Sequence, residues 1–217
     1  MSREPWIDFP LGYYICPSCE IVDRDKDRTL VGHKCSRCGT PSSGGIAYFD
    51  RTVCTITDFI TELYPMPDLD SPSSIGPFPH PSESHRLAIL IFFCTLGETL
   101  QQHFLEHCVS RSNFSPKIQA SLLQDILHPL EHIEQPFQTL TGATWQQAVK
   151  AASKHAKSNF ILISFFFKIA VKKRNQLLLL GNKLAVSPDM AKQCVTNMAP
   201  LINLFVELHN VYLMKPL

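Results

Sequence analysis

The chain has 217 residues, 45% of them apolar and 18% charged, enough to bury a hydrophobic core without disulfide staples. A formal net charge of +1 excludes a molecule-wide pull toward nucleic acid or membrane, so any anion site must be local. The opening MSREPWIDFPLGYY lacks the basic and apolar regions of a secretory signal, so a reducing, cytoplasmic compartment is expected.

Residues 13–50 are rich in Cys, Gly, Asp and aromatics with little helical periodicity, which predicts short strands and turns. Within them, Cys16-Pro-Ser-Cys19, fifteen further residues, and Cys35-Ser-Arg-Cys38-Gly39 have the spacing of a four-cysteine zinc site. Two CxxC turns can each present two thiolates to one ion and complete a tetrahedron, and Gly39 suits the left-handed residue that closes such a turn. Residues 20–34 become the arm of a zinc ribbon. With four protein ligands the zinc is structural, stabilising a unit too small to stand on apolar burial alone. Two disulfides, four free thiols, or His33 in place of one cysteine are the alternatives. Arg24, Lys26, Arg28, Lys34 and Arg37 on the arm are nearly balanced by Glu20, Asp23, Asp25 and Asp27, so the arm carries no strong nucleic-acid signature.

A brief apolar stretch, Val53 to Tyr64, completes a zinc-ribbon unit over 1–64. Six prolines in residues 65–84 then remove backbone donors and fix φ, which predicts an extended linker. From there the pattern turns helical. Ser115-Pro116, Thr144 with Gln147, and Ser187-Pro188 offer helix-start chemistry. Apolar residues recur at threes and fours through Leu87, Leu90, Ile91, Cys94, Leu100, Phe104 and Cys108, and again through Leu201, Leu204, Phe205, Leu208 and Tyr212.

These signals predict helices at about 84–110, 116–140 with a break near Pro129 or Pro136, 144–180 ending at Gly181-Asn182, and 188–213. The fold class is mainly α: a helix bundle over 85–217 with a small N-terminal β unit. Cys54, Cys94, Cys108 and Cys194 lie singly among apolar neighbours and are expected to be reduced core residues. The apolar runs Leu87 to Leu96 and Phe160 to Val171 are shorter than the roughly 18–20 residues of a membrane span.

The third predicted helix ends in Lys168, Lys172, Lys173, Arg174 and Asn175. Cations there also complement the negative helix end. Glu98 in the apolar helix AILIFFCTLGETL is a carboxylate in need of a partner, and Arg174 is a natural one. No Walker loop, dinucleotide-binding glycine pattern, HExxH or GxSxG occurs, which argues against nucleotide hydrolysis, redox chemistry and ordinary proteolysis.

Arg174-Asn175 near the end of a long helix, Glu98 inside the apolar first helix, and the final helix LINLFVELHNVYL together resemble the HEPN superfamily over roughly residues 84–217. These all-helical domains include bacterial ribonuclease toxins and antiviral effectors. The resemblance implies a homodimer through the helical domain and a metal-independent RNA site in which Arg174 and Asn175 are catalytic, with Glu98 and Lys173 supporting. In that family a histidine follows the arginine after four to six residues and moves protons while the guanidinium stabilises the phosphorane. Here Leu179, Leu180 and Gly181 stand in those places.

Three explanations remain open: a degenerate member that binds RNA or a protein partner without cutting, a histidine supplied from elsewhere, or an introduced change. His103, His107 and His209 are the conceivable donors. His155 is set aside because, on one continuous helix, it lies nearly 30 Å from the motif. A non-catalytic zinc-ribbon and helix-bundle module for protein interaction is the alternative reading of the whole chain.

Overall fold

The computed structural model describes residues 12–44, 46–64, 81–126, 134–180 and 185–215. Most of the proline-rich segment and Gly181-Asn182 lie outside them.

Three two-residue strands, β1 (Tyr14–Ile15), β2 (Val22–Asp23) and β3 (Ile46–Ala47), form an antiparallel sheet in the order β2-β1-β3. Tyr14 faces Asp23 on one side and Ala47 on the other. Strands this short make few ladder bonds, so the unit depends on its metal-site turns and on what it packs against.

The stretch that follows is a full helix, α1 (Arg51–Leu63), whose Asp50 side chain accepts from the amides of Thr52 and Val53. Its buried face, Val53, Ile56 and Ile60, joins the main core. Central to the bundle is α2 (Glu83–Arg111), about 43 Å long at 1.5 Å per residue. Helices α1, α3 (Pro116–Ile126), α4 (Glu134–Thr141), α6 (Phe160–Leu180) and α7 (Pro188–Tyr212) pack on it from several directions. Burial therefore runs around the whole of α2, with no residue from 86 to 109 fully exposed.

Three of the predicted starts are present. α3 begins at Pro116. Thr144 and Gln147 form a reciprocal capping box at α5 (Trp145–Ala156), and Ser187 caps α7 through the amide of Met190 at 3.1 Å. The predicted helix over 144–180 is corrected: it is two helices, α5 and α6, separated at Lys157, which takes the left-handed conformation at φ 53°. α4 begins just before Pro136, in the first turn where proline costs no hydrogen bond. Cys54, Cys94, Cys108 and Cys194 are buried and unbridged, with burial pushing all four thiols up. No helix among the described residues is long and apolar enough to cross a membrane.

α2 and α6 touch at Gly97, where the ring of Phe167 occupies the space a β-carbon would need. That close approach sets Glu98 opposite the end of α6.

A four-cysteine centre and a groove beside Arg174

Cys16 and Cys19 lie in the turn after β1, Cys35 and Cys38 in a second turn, and the two are built alike. The amide of Cys16 donates to the carbonyl of Ile21 and the amide of Glu20 to that of Cys16; the amide of Cys35 donates to Thr40 and the amide of Gly39 to Cys35. Each turn closes with a left-handed residue after its second cysteine, Glu20 at φ 60° and Gly39 at φ 71°. Glycine takes this region freely, whereas Glu20 is held there by other contacts.

The four Sγ atoms lie within 4.8 Å of one another, with Cys16 to Cys38 and Cys19 to Cys35 both at 3.8 Å. Four sulfurs about 2.3 Å from one tetrahedral ion stand about 3.8 Å apart, whereas a disulfide brings them to about 2.05 Å. The cluster therefore fits a metal ion and no disulfide. The Thr40 side chain and backbone beside Cys38 hold its thiol down to about 6, while burial pushes that of Cys19 up to about 11, so Cys38 is the thiol readiest to give the thiolate a metal needs. His33 stands apart, its Nε2 2.8 Å from Asp25 Oδ2.

The first turn is stitched to the far end of the chain. The side-chain amide of Asn210 both accepts from the amide of Val22 at 2.8 Å and donates to its carbonyl at 2.9 Å, extending the sheet edge onto α7. His209 Nε2 donates to the Glu20 carbonyl at 3.0 Å. The Glu20 carboxylate meets Arg111 and Lys215, each at 3.0 Å, and the hydroxyl of Tyr13 reaches Asn203. These contacts hold Glu20 in its left-handed conformation.

Above this seam, Tyr48 packs against His103, His107 and His209 with ring centroids 5.0, 5.7 and 4.8 Å away. Burial pushes the imidazole of His107 down to about 4 and that of His209 to about 3, so both are neutral at pH 7. His103 is lowered for the same reason. Along α2 these histidines sit roughly 140° and 180° around the axis from Glu98 at 100° per residue, on the opposite face. His155 is paired with Glu207 on α7 at 2.6 Å; the distance along one helix that set it aside does not hold, because α5 and α6 are separate.

Arg174 is closed by its neighbours. Its Nη1 donates to both carboxylate oxygens of Glu98, at 2.7 and 2.8 Å. Nε and Nη2 donate to Asn175 Oδ1 at 3.1 and 2.9 Å. The arginine side chain is 16% exposed and that of Glu98 33%. Lys173 is half-buried beside them and makes no hydrogen bond or ion pair among the described residues. Leu179 is 84% exposed, and nothing is described of the side chain at 180 or of Gly181.

Next to the pair lies a groove of about 520 Å³ between α2, α4, α5 and α6, lined among others by Glu98, Gln101, Trp145, Lys168, Lys172 and Asn175. A second hollow of about 320 Å³ continues it past Trp145, Ser164 and Lys168 toward Lys150. The Trp145 indole donates to Ser164 at 2.8 Å and Lys168 pairs with Glu134 at 3.0 Å. Sequence reasoning missed Gln101 and Trp145; Gln101 lies one turn beyond Glu98 on the same face, which was the available signal.

The chain matches no protein-family model, no curated protein and no solved structure.

Proposed function

We propose that the protein binds single-stranded RNA without cutting it, as a catalytically degenerate relative of the HEPN ribonucleases. One structural zinc ion holds its N-terminal unit in a reducing cytoplasm. The observation that carries the reading is α6, where Lys172, unpaired among the described residues, and, one turn before it, Lys168, paired with Glu134, line a ligand-sized groove beside a guanidinium already engaged by Glu98 and Asn175. Lysines along a groove take phosphate oxygens without reading sequence. Cutting also needs a group to move the 2′-hydroxyl proton; His103, His107 and His209 gather around Tyr48 on the far side of α2 from Glu98, and His155 is paired with Glu207. Four thiolates with no open position suit zinc in a structural capacity.

The test is a binding and cleavage assay with labelled single-stranded RNA in EDTA, beside Lys172→Glu and Leu179→His. Wild type should bind in a salt-dependent way and leave the RNA whole, and Lys172→Glu should bind at least about ten-fold more weakly. Leu179→His restores an imidazole where the family carries one, and cleavage by it supports the degenerate site. No RNA binding at low salt by wild type overturns the reading, and cleavage by wild type overturns its non-catalytic part. Metal analysis should return one zinc per chain.

A second reading, a protein-interaction module, is favoured by apolar exposure along α6. Leu162, Phe165, Leu178 and Leu179 are 64, 63, 68 and 84% exposed; Phe165 and Leu179 border the groove itself, and apolar exposure of this extent marks an interface. The homodimer implied by the family resemblance uses the same helical domain. Sedimentation of wild type against Phe165→Glu reads it: a dimer that becomes a monomer places self-association on α6, and a wild-type monomer removes it.

A further inference from the structure

Gln101 is buried to 6% exposure in the middle of α2, yet its side chain lines the groove and makes no hydrogen bond among the described residues. Its oxygen and nitrogen are not sealed in the core as His103 Nε2 and Tyr48 Oη are, so the polar end of an otherwise buried side chain opens into the groove. The neighbouring polar groups are also incompletely used. Asn175 spends its oxygen on Arg174, leaving its NH2 without an acceptor among the described residues, and Lys172 is exposed at the rim with no ion pair among them. Phe167, Val171 and Trp145 supply apolar walls. Convergent donors and acceptors that open into an apolar-walled groove of this size, with no protein partner among the described residues, describe a ligand site.

We infer that this groove reads a single nucleobase: the Gln101 carboxamide hydrogen-bonds the base edge and Lys172 takes the attached phosphate. A carboxamide offers one acceptor and one donor side by side, the complement of the adjacent donor and acceptor on adenine. The paired charges lining the groove, Lys168 with Glu134 and Arg174 with Glu98, cancel, so the uncompensated Lys172 sets the preference for an anion. The inference rests on the RNA reading above and adds to it the residue that would give the site base specificity.

Calorimetric titration of the intact protein with AMP and with ribose 5-phosphate tests it. AMP should bind at least about ten-fold more tightly than ribose 5-phosphate, the discrimination of one good bidentate contact. Gln101→Leu should abolish that difference while keeping the melting temperature of wild type, because the side chains are of similar size and Gln101 has no hydrogen bond among the described residues to lose. Lys172→Ala, a change at an exposed position, should weaken both ligands. The inference is overturned if AMP does not bind, if the two ligands bind alike, or if Gln101→Leu binds AMP as wild type does. RNA binding by wild type that Gln101→Leu leaves intact would retain the RNA reading and remove only this one.

Discussion

Gly97 has no side chain because Phe167 needs the room. Gly97→Ala should force α2 and α6 apart and cost about 1–3 kcal/mol, the usual range for overpacking; an unchanged urea midpoint would contradict the packing described. One residue on, Glu98 and Arg174 form a half-buried pair, so removing either leaves a charge with poorer company. Glu98→Ala and Arg174→Ala should each destabilise by about 1–3 kcal/mol, and the double variant by clearly less than their sum. Additive losses would show that the two side chains do not depend on each other. The pairing was legible in the sequence because a carboxylate in an apolar helix needs a cation. The engagement of Asn175 and the opening of the Gln101 carboxamide into the groove were not, since both depend on which helices lie opposite.

Start chemistry for α3, α5 and α7 could be read from local residues, because a cap is satisfied within three or four positions. The division of α5 from α6 could not be, as Lys157-Ser158-Asn159 contains neither Gly nor Pro. There a lysine adopts a conformation that glycine takes at little cost. Lys157→Gly is expected to stabilise the protein by up to about 1 kcal/mol, read as a raised melting temperature; a clear loss would mean that the lysine side chain supports the turn. The metal-site turns were legible for the opposite reason, being fixed by covalent spacing. What their arm rests on was hidden, because Asn210 and His209 reach it from 188 and 189 residues away. Asn210→Ala unpairs both main-chain groups of Val22 and should cost about 1–3 kcal/mol.

Across the whole molecule, the sheet and the bundle share one apolar cluster that includes Tyr13, Val22, Tyr48 and Phe49 together with residues of α2 and α7. Removing the metal should therefore lower the melting temperature of the helices as well as that of the four-cysteine turns. A helical transition unmoved by a strong chelator would show the two parts to be independent. Acid should act at the same seam. His103, His107 and His209 hold folded values below the ordinary 6.5, so the unfolded chain binds protons first as pH falls. Stability is fully present above about pH 6.5 and declines toward pH 4 and then 3, the values for His107 and His209. Each histidine contributes at most about 1.4 kcal/mol per pH unit, less for the partly exposed His107. Denaturation midpoints at pH 7 and 5 should differ accordingly, with the difference reduced in His107→Gln.

The bond between Val22 and Asn210 also sets an order of events during synthesis. A ribosome adding roughly 5–20 residues per second releases the cysteine turns long before α7 exists. Until residue 210 has emerged, the nascent chain thus carries a metal-competent knuckle whose edge at Val22 lacks its side-chain partner. Closure waits for α7 to emerge, so a ribosome stalled before Asn210 would hold a metal-competent but undocked ribbon.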